Sequence, residues 1–263
     1  MNSHIKTCLA ASALVLLSAC THTGSRDISL IPTQTDAITQ KKGAFTQPIK
    51  WSRQRPHCTG QCPSMKVDSL VFPGQRELTD LVDQHLAAMV STLDGIHIQP
   101  TIADFEEYFW QTADHSDEVQ LAAKTIYRNK DLTVLELGAW YYPTGAAHGM
   151  ASTQFLNWNN IEHRLVSLED IVRPRQLNQF FELQKQAYHD WVNQSEFAKE
   201  DPQQYARLWP FQPTNNIAVT DAGILVKYNP YAIAPYAAGM PQFLIPYAQL
   251  EGVLRSEYLP QRP

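Results

Sequence analysis

Residues 119–158 read VQLAAKTIYRNKDLTVLELGAWYYPTGAAHGMASTQFLNW, and the fold class follows largely from them. Three runs rich in β-branched, aromatic and aliphatic residues, which favour strands, occupy 119–127, 132–142 and 150–158. Polar or glycine-containing segments of a few residues separate these runs. Strands that follow one another after such short intervals favour antiparallel pairing, so the stretch predicts an antiparallel sheet.

The flanking sequence adds helices and further strands. Apolar residues alternate over 65–71, which indicates a strand. Apolar residues three and four positions apart over 75–93 indicate an amphipathic helix that ends at Asp94-Gly95. Further predicted elements are helices over 101–114, 176–193 and 247–255, a short helix after Ser167, and strands over 216–220, 224–228 and 242–246. Grouped strands with helices between the groups predict an α+β fold, an antiparallel β-sheet with packed helices.

The first twenty residues carry the pattern of an export signal. Lys6 precedes a short apolar run over 9–17, far shorter than the ~20 residues of a membrane-spanning helix. The sequence Leu-Ser-Ala-Cys that follows resembles a bacterial lipobox, in which Cys20 is acylated; the alternative is an ordinary secretory signal cleaved after Ala19. Thr21, rather than Asp, resembles Gram-negative lipoproteins of the outer membrane. We therefore expect a lipid anchor in the outer membrane, with the domain facing the periplasm or the cell surface.

The chain divides into four predicted segments. A lipoprotein signal peptide (1–19) is followed by a linker (20–44), which is polar, lacks an apolar period and is expected to be flexible. A small N-terminal subdomain (45–116) precedes a larger C-terminal domain (117–263). The sequence leaves open whether the two folded parts share one core.

Two of the four cysteines remain after signal removal and lipidation. Cys58 and Cys62 flank Thr-Gly-Gln, so a small-loop disulfide is expected in an oxidising compartment. A metal site that combines them with His57 is the alternative, but it lacks an evident fourth ligand. We expect no metal and no cofactor.

Composition narrows the class of partner. Of 263 residues, 44% are hydrophobic, which is enough for a sizeable core. Lysine and arginine total 21 and acidic residues 26, for a formal charge of −5. Because nothing in this balance builds a basic surface that follows phosphates, a nucleic-acid partner is not expected. A weakly acidic domain attracts basic partners at most mildly.

Three motifs in order resemble those of a known family. Residues 142–149, YPTGAAHG, resemble the Y-x-T-G-G-A-H-G signature of the RsiV-like extracytoplasmic domains. Residues 165–171, LVSLEDI, are similar to that family's L-x-L-x-D-L-F entry to a helix, and residues 231–239, YAIAPYAAG, to its Y-E-I-A-P-Y-A-x-G. The chain departs from the family in three places, which are Ala146 for a usual glycine, Ala232 where glutamate is common, and the turn 161–163 without its usual glycine.

The resemblance implies binding of lysozyme or of peptidoglycan. The family's module is shared by a lysozyme-sensing anti-sigma factor and by the accessory domain of a peptidoglycan deacetylase. We do not carry over either activity, because a lipobox stands in place of a spanning helix and the deacetylase domain has no counterpart in this sequence. The candidate ligand-binding residues are Tyr142, Thr144, Gly145, His148, Trp158, Tyr231 and Tyr236.

Three of these candidates also have an ordinary structural explanation. His148 would tie its loop together through backbone hydrogen bonds, and Tyr142 and Trp158, at strand ends, would pack in the core. The catalytic motifs H-E-x-x-H and G-x-S-x-G are absent from the sequence, and no two of Glu136, Glu162, Glu169 and Asp170 can be paired from sequence alone. The sequence therefore favours a non-enzymatic envelope lipoprotein that binds lysozyme or a related muramidase. A cell-wall glycan hydrolase and a structural envelope protein are the alternatives.

Overall fold

Strands and helices follow one another closely between residues 43 and 260, the range that the computed structural model describes. In chain order the elements are β1 (Gln47–Gln54), β2 (Ser64–Val71), α1 (Arg76–Asp94), α2 (Ile102–Thr112), β3 (Glu118–Arg128), β4 (Leu132–Tyr142), β5 (Met150–Asn159), β6 (Arg164–Leu165), α3 (Leu168–Ile171), α4 (Leu177–Gln194), α5 (Pro202–Leu208), β7 (Ile217–Val219), β8 (Gly223–Lys227), β9 (Gln242–Pro246) and α6 (Tyr247–Leu250). Short 3₁₀ turns lie at Tyr236–Ala238 and Ser256–Tyr258.

The strands form two sheets, which confirms the predicted α+β class. Strands β1 to β6 make a six-stranded sheet in sequence order, and β7 to β9 make a three-stranded antiparallel sheet. One pair departs from the predicted antiparallel pattern, because β2 and β3 run parallel. Helices α1 and α2, which lie between β2 and β3 in the chain, return it to the end of the sheet where β2 began, as a parallel pair requires. Since β2 precedes residue 117 and β3 follows it, the two predicted folded parts share this sheet.

The first hydrophobic core lies between the large sheet and the helices α1 and α2. Leu78, Val82, Leu86 and Val90 recur at spacings of four on α1 and form its buried face. The odd-numbered residues of β4 face this helix, because alternate residues of a strand point to the same side. They are Leu135, Leu137, Ala139 and Tyr141.

The second core lies on the opposite face of the same sheet, under the three-stranded sheet and α4. Val134 of β4 and Phe155 of β5 pack there with residues of β7 to β9. Asn157 joins the two sheets, because its side-chain amide donates to the carbonyl of Ile217 at 2.8 Å and its side-chain oxygen accepts from the N–H of Val219 at 2.9 Å. Strands β4 and β5 therefore contribute to both cores.

Most predicted elements are confirmed within a residue or two, and two segments were not anticipated. β1 shows no alternation because nearly all of its residues are exposed. Helix α5 (Pro202–Leu208) is the other element that the sequence patterns do not predict. Asp201 caps this helix by accepting from the N–H of Gln204, and Pro202 stands at its first turn, where a missing N–H costs no hydrogen bond.

The predicted C-terminal helix over 247–255 is too long. Helix α6 ends at Leu250, because Gly252 adopts a left-handed backbone with φ of 80° and Leu254 then pairs with Val172 in an isolated β-bridge. The chain end is therefore tied to the segment after α3 rather than extended as a helix.

The signal peptide, Cys20 and nearly all of the linker 20–44 lie outside the described residues. Among residues 43–260, no helix combines the length and the apolar character needed to cross a bilayer.

Candidate binding site

The loop between β4 and β5 is held by a buried carboxylate. Asp117 Oδ1 accepts hydrogen bonds from the N–H and the hydroxyl of Thr144 at 2.6 and 2.7 Å, and its Oδ2 accepts from the N–H of Asp114 at 2.9 Å. The Thr144 hydroxyl oxygen in turn accepts from the N–H of Ser116 at 3.0 Å. Hydrogen bonds to a charged group are roughly twice as strong as neutral ones. Thr144 therefore fastens the loop to the α2–β3 connection, so its role here is structural.

Tyr142 and Gly145 shape the same loop. The Tyr142 hydroxyl donates to the carbonyl of Ala146 at 2.9 Å, and its ring lies nearly parallel to that of Trp140, with centroids 6.0 Å apart. Gly145 has a φ of 81°, which glycine adopts without strain. The backbone at Ala146 lies outside the left-handed region, so alanine fits this motif position as well as glycine does.

His148 joins two tyrosines from a loop that is distant in sequence. Its Nδ1 donates to the carbonyl of Gly149 at 2.9 Å, which leaves Nε2 to accept from the Tyr231 hydroxyl at 3.2 Å. The Tyr236 ring stacks on the imidazole with centroids 4.0 Å apart, and its hydroxyl donates to the same Gly149 carbonyl at 2.8 Å. We call His148, Tyr231 and Tyr236 the aromatic cluster. Two of the sequence motifs therefore meet at one surface.

Tyr231 presents its ring to solvent from a strained backbone. Its φ is 68°, in the left-handed region that costs a residue other than glycine roughly 1–2 kcal/mol. Tyr231 is also 54% exposed, so the strained backbone holds an aromatic ring at the surface. Asn229 fixes the turn, because its carbonyl accepts from the N–H of Ala232 at 3.2 Å and its side-chain oxygen accepts from the N–H of Thr153 at 2.8 Å. Strain of this kind concentrates at functional sites.

Trp158 does not join the other candidates. It is 1% exposed on the α1 side of the sheet, where its Nε1 donates to Gln75 Oε1 at 2.9 Å. Tyr141 points the same way, and burial, together with the carboxylates of Asp94 and Asp117, raises the pKa of its hydroxyl. We leave Trp158 out of the site because a side chain this buried has no surface to offer a ligand.

Sequence reasoning missed a groove beside the aromatic cluster. Its volume is about 420 Å³, and it lies on the uncovered end of the sheet face that carries the three-stranded sheet. The indole of Trp140 lines it, and Gly149 packs against that indole so closely that a Cβ at Gly149 would lie 2.3 Å from Nε1. The sequence pattern that could have revealed this groove is the alternation of β4, which places Glu136, Gly138, Trp140 and Tyr142 on one face.

Glu136, one of the carboxylates considered for hydrolysis, lies in an ion-pair network at the edge of this groove. Lys227 donates to its Oε1, and the ammonium of Lys124 lies 3.0 Å from its Oε2. Burial raises the pKa of Glu136, but the hydrogen bonds from the two lysines outweigh burial and hold its pKa below the ordinary value. A general acid for glycoside hydrolysis needs a raised pKa, so Glu136 is unsuited to that role.

The other carboxylates considered for hydrolysis surround α3. Asp170 accepts from the N–H and hydroxyl of Ser167 and from Arg164, and these hydrogen bonds lower its pKa. The same interactions complete the predicted capping arrangement between Ser167 and Asp170. Glu162 pairs with Arg164 at 2.6 Å, and Glu169 is exposed. Asp170 is therefore held ionised as a helix cap.

Cys58 and Cys62 form the predicted disulfide, with an S–S distance of 2.07 Å. Bonded sulfurs are not available as thiolate ligands, so the alternative metal site with His57 is wrong. In the described part of the chain, no group of three or more histidine, cysteine, aspartate or glutamate residues is placed to hold a metal ion. Gln61, inside the disulfide loop, accepts from the Ser116 hydroxyl at 3.4 Å and so contacts the connection that anchors the site loop.

This chain is similar to a crystal structure of a DUF3298 family protein from Pseudomonas aeruginosa PAO1. It has a TM-score of 0.76 and 30% sequence identity, and the match covers 83% of this chain and 98% of the other. The chain belongs to the DUF3298 family. The family profile, described as a protein of unknown function, matches residues 169–248, which include Tyr231 and Tyr236.

A second DUF3298 structure, from Bacteroides fragilis NCTC 9343, shares the fold at 21% identity, with a TM-score of 0.64 and coverage of 82% of this chain and 96% of the other. A search of curated proteins found no match. DUF3298 is the RsiV-like family, so the family predicted from the motifs is confirmed.

One departure from the family motifs has a visible structural consequence. His163 occupies the turn that lacks the usual glycine, and its φ is 52°. Its ring stands edge-on to Trp158, with centroids 6.4 Å apart. A histidine in the left-handed region is therefore tolerated in this DUF3298 member, and its ring packs against a core tryptophan.

Proposed function

We propose that this protein is a non-enzymatic envelope lipoprotein whose DUF3298 domain binds a cell-envelope ligand, lysozyme or a related muramidase, at the aromatic cluster. The observation that carries the proposal is the convergence of His148, Tyr231 and Tyr236 from two sequence motifs onto one surface. Tyrosine is enriched among the residues that dominate protein–protein binding. It presents a large contact area and has few side-chain torsions to immobilise.

The cluster is ordered before any partner arrives, which favours binding. The Gly149 carbonyl accepts from both His148 and Tyr236, and the Tyr231 hydroxyl bonds the imidazole. Rings that are already fixed lose little conformational freedom on association, so more of the contact energy remains as affinity. Tyr231, at 54% exposure, is the member with the most surface to lose to a partner.

Net charge gives the proposal modest support. The formal charge of −5 attracts a basic enzyme such as a muramidase over long range, and salt screens that attraction. Charge alone therefore predicts weak binding that disappears as ionic strength rises. Specific docking on the aromatic cluster predicts binding that persists in physiological salt.

The test is a calorimetric titration of the chain from residue 21 onward with c-type lysozyme at two salt concentrations. We expect saturable binding with a Kd in the micromolar range or below, and at least tenfold weaker binding for Tyr231→Ala and His148→Ala. Phe197→Ala is the matched control, because Phe197 is 51% exposed and belongs to neither motif. Absence of saturation, or loss of binding at physiological salt, would contradict the proposal.

We also propose that Cys20 anchors the protein in the outer membrane through its acyl chains. The support is the lipobox-like sequence that ends at Cys20, followed by Thr21. Each buried CH₂ contributes about 0.8 kcal/mol, so more than one chain gives stable attachment. The test is palmitate labelling of the full chain and of Cys20→Ala, followed by membrane fractionation. Labelling and membrane association should both disappear in the variant, and label retained by it would contradict the proposal.

A further inference from the structure

The outer edge of β1 is a sheet edge with no strand beside it in the described part of the chain. β1 pairs with β2 and ends the six-stranded sheet. The register of this pair continues to Arg55, whose N–H donates to the carbonyl of Pro63 at 3.2 Å. Hydrogen-bonded and non-hydrogen-bonded pairs alternate in an antiparallel ladder. The odd-numbered residues of β1 therefore bond to β2, and the even-numbered ones point their backbone groups outward.

These outward groups are available to another strand. Lys50, Ser52 and Gln54 each offer an N–H donor and a C=O acceptor that find no ladder partner among residues 43–260. Pro48 occupies the remaining outward position, where its missing N–H takes no hydrogen bond from the β1–β2 pair. Nearly every residue of β1 is exposed, so this edge is open to solvent. An open edge of this length is a template for pairing with another chain.

A groove of about 280 Å³ lies beside this edge, between β1 and the N-terminal halves of α1 and α2; we call it the edge groove. Ile49 and Trp51 line it from β1, and Ile102 lines it from α2. A strand added to β1 presents every second side chain on the face that carries Ile49 and Trp51, because side chains alternate between the two faces of a sheet. Ile49 is 39% exposed, so the edge groove has apolar surface that such a side chain can cover.

The edge groove also holds a carboxylate without a basic partner. Asp83 accepts from the N–H of Ile102 at 3.3 Å, and within residues 43–260 it forms no ion pair. Burial raises the pKa of Asp83, and the nearby carboxylates of Asp80 and Asp104 raise it further. Among the described residues that line the groove, Arg53 is the one basic side chain, and it already pairs with Glu106 at 2.8 Å. The groove is therefore complementary to a basic side chain.

We propose that the outer edge of β1 binds an extended segment of another protein by strand addition, with an apolar and a basic side chain of that segment in the edge groove. Main-chain hydrogen bonds supply affinity in this mode of recognition, and pockets for alternate side chains supply selectivity. A second copy of this chain fits less well, because it brings the same acidic side chains to the interface. The inference does not rest on lysozyme binding, since β2 and β3 separate β1 from β4 and the loop that carries His148.

The probe is a blocked peptide, acetyl-Thr-Leu-Thr-Lys-Thr-Leu-Thr-amide, whose leucines and lysine lie on one side when it is extended. NMR titration of the chain from residue 21 onward measures binding, and hydrogen exchange at saturating peptide reports on the edge. We expect saturable shifts in β1, α1 and α2 at submillimolar peptide, and at least tenfold slower exchange of the N–H groups of Lys50 and Ser52. The same peptide with glutamate in place of lysine should bind at least fivefold more weakly.

Two variants test the backbone and the charge separately. Ser52→Pro removes an outward N–H but no hydrogen bond to β2, so the variant should fold and should bind the peptide at least tenfold more weakly. Asp83→Asn should reduce the preference for lysine over glutamate at least threefold. Glu107→Gln is the matched control, because Glu107 is exposed on the same helix as Ile102 but does not line the edge groove.

The outcomes separate this proposal from the others. Tyr231→Ala should leave peptide binding unchanged, whereas it weakens lysozyme binding under the proposed function. Absence of saturable shifts up to millimolar peptide would overturn the proposal, as would binding that leaves exchange at Lys50 and Ser52 unchanged. Slow exchange without peptide, in the chain from residue 21 but not in one from residue 43, would assign the edge to the residues before 43 instead. Slow exchange that depends on protein concentration would assign it to a second copy.

Discussion

Gly149, in the β4–β5 loop, and Gly138, on β4, show how two glycines near Trp140 do opposite things. The first allows Trp140 to pack against the backbone of the β4–β5 loop, because any Cβ there would overlap the indole. The second leaves the floor of the groove empty, because nothing lies within 4 Å of its Cβ position. Glycine at 149 is therefore a packing requirement, whereas glycine at 138 has no structural need in this fold.

A matched pair of alanine substitutions tests this difference. Gly149→Ala should destabilise the fold by about 1–3 kcal/mol, as overpacking of a tight contact does. Gly138→Ala should be neutral or raise stability by about 0.5–1 kcal/mol, because glycine in a strand interior is unfavourable. Urea denaturation followed by tryptophan fluorescence measures both changes. A tolerated Gly149→Ala with unchanged fluorescence would contradict the close packing of Trp140.

At the scale of elements, periodic patterns were enough to predict most of the structure. The spacing of four along α1 and the alternation in β4 each report one buried face, and both elements appear where predicted. Exposed β1 has no buried face, so its residues gave no signal. The parallel pairing of β2 with β3 depends on where α1 and α2 deliver the chain, which is a long-range property.

The candidate site was predictable only in part, for a similar reason. Motif resemblance found His148, Tyr231 and Tyr236, which do converge. Trp158 was a candidate because it is an aromatic residue at a predicted strand end. It is buried, because the position of a strand end in the sequence does not reveal which face of the strand is covered by helices. Trp140 was missed because it belongs to no motif, and its exposure depends on the three-stranded sheet stopping short of it.

The ion pair between Lys227 of β8 and Glu136 of β4 links the two sheets, and its strength should depend on pH. The side chains are only 13% and 14% exposed. Since hydrogen bonding holds the folded pKa of Glu136 below its unfolded value, its contribution to stability is fully present above the unfolded pKa and is lost as pH falls through the folded pKa. Lys227→Met should therefore cost about 3 kcal/mol near pH 7, because it leaves a mostly buried carboxylate with one partner fewer.

Denaturation of this variant and of wild type between pH 3 and 7 measures the effect. The difference in the free energy of unfolding should shrink as the solution becomes acidic. Lys199→Met is the matched control, since the ion pair of Lys199 with Glu196 has both side chains more than half exposed and should contribute almost nothing. A difference that stays constant with pH would show that Lys227 stabilises the fold through packing alone.

At the scale of the whole molecule, the two cores are the two faces of the same strands. Leu135 and Leu137 of β4 face α1, whereas Val134 of that strand and Phe155 of β5 face the three-stranded sheet. Helices α1 and α2 cover one face of these strands, and the three-stranded sheet covers the other. Removing either layer exposes one face of a sheet against which the other layer still packs. We therefore expect the two parts predicted on either side of residues 116 and 117 to fold as one cooperative structure.

A fragment that begins at residue 117 tests this cooperativity. We expect it not to fold alone, because without β2, α1 and α2 it exposes Leu121, Leu135 and Leu137, which are at most 1% exposed in the whole chain. Each fully buried aliphatic side chain contributes about 1.5–3 kcal/mol. Exposing these three leucines therefore removes a large part of the roughly 5–15 kcal/mol by which a typical domain is stable. The measurement compares the fragment with the chain from residue 43 onward by NMR dispersion and thermal melting. A dispersed spectrum and a cooperative transition from the fragment would mean that the DUF3298 part is an independent domain, and that β2, α1 and α2 form an addition to it.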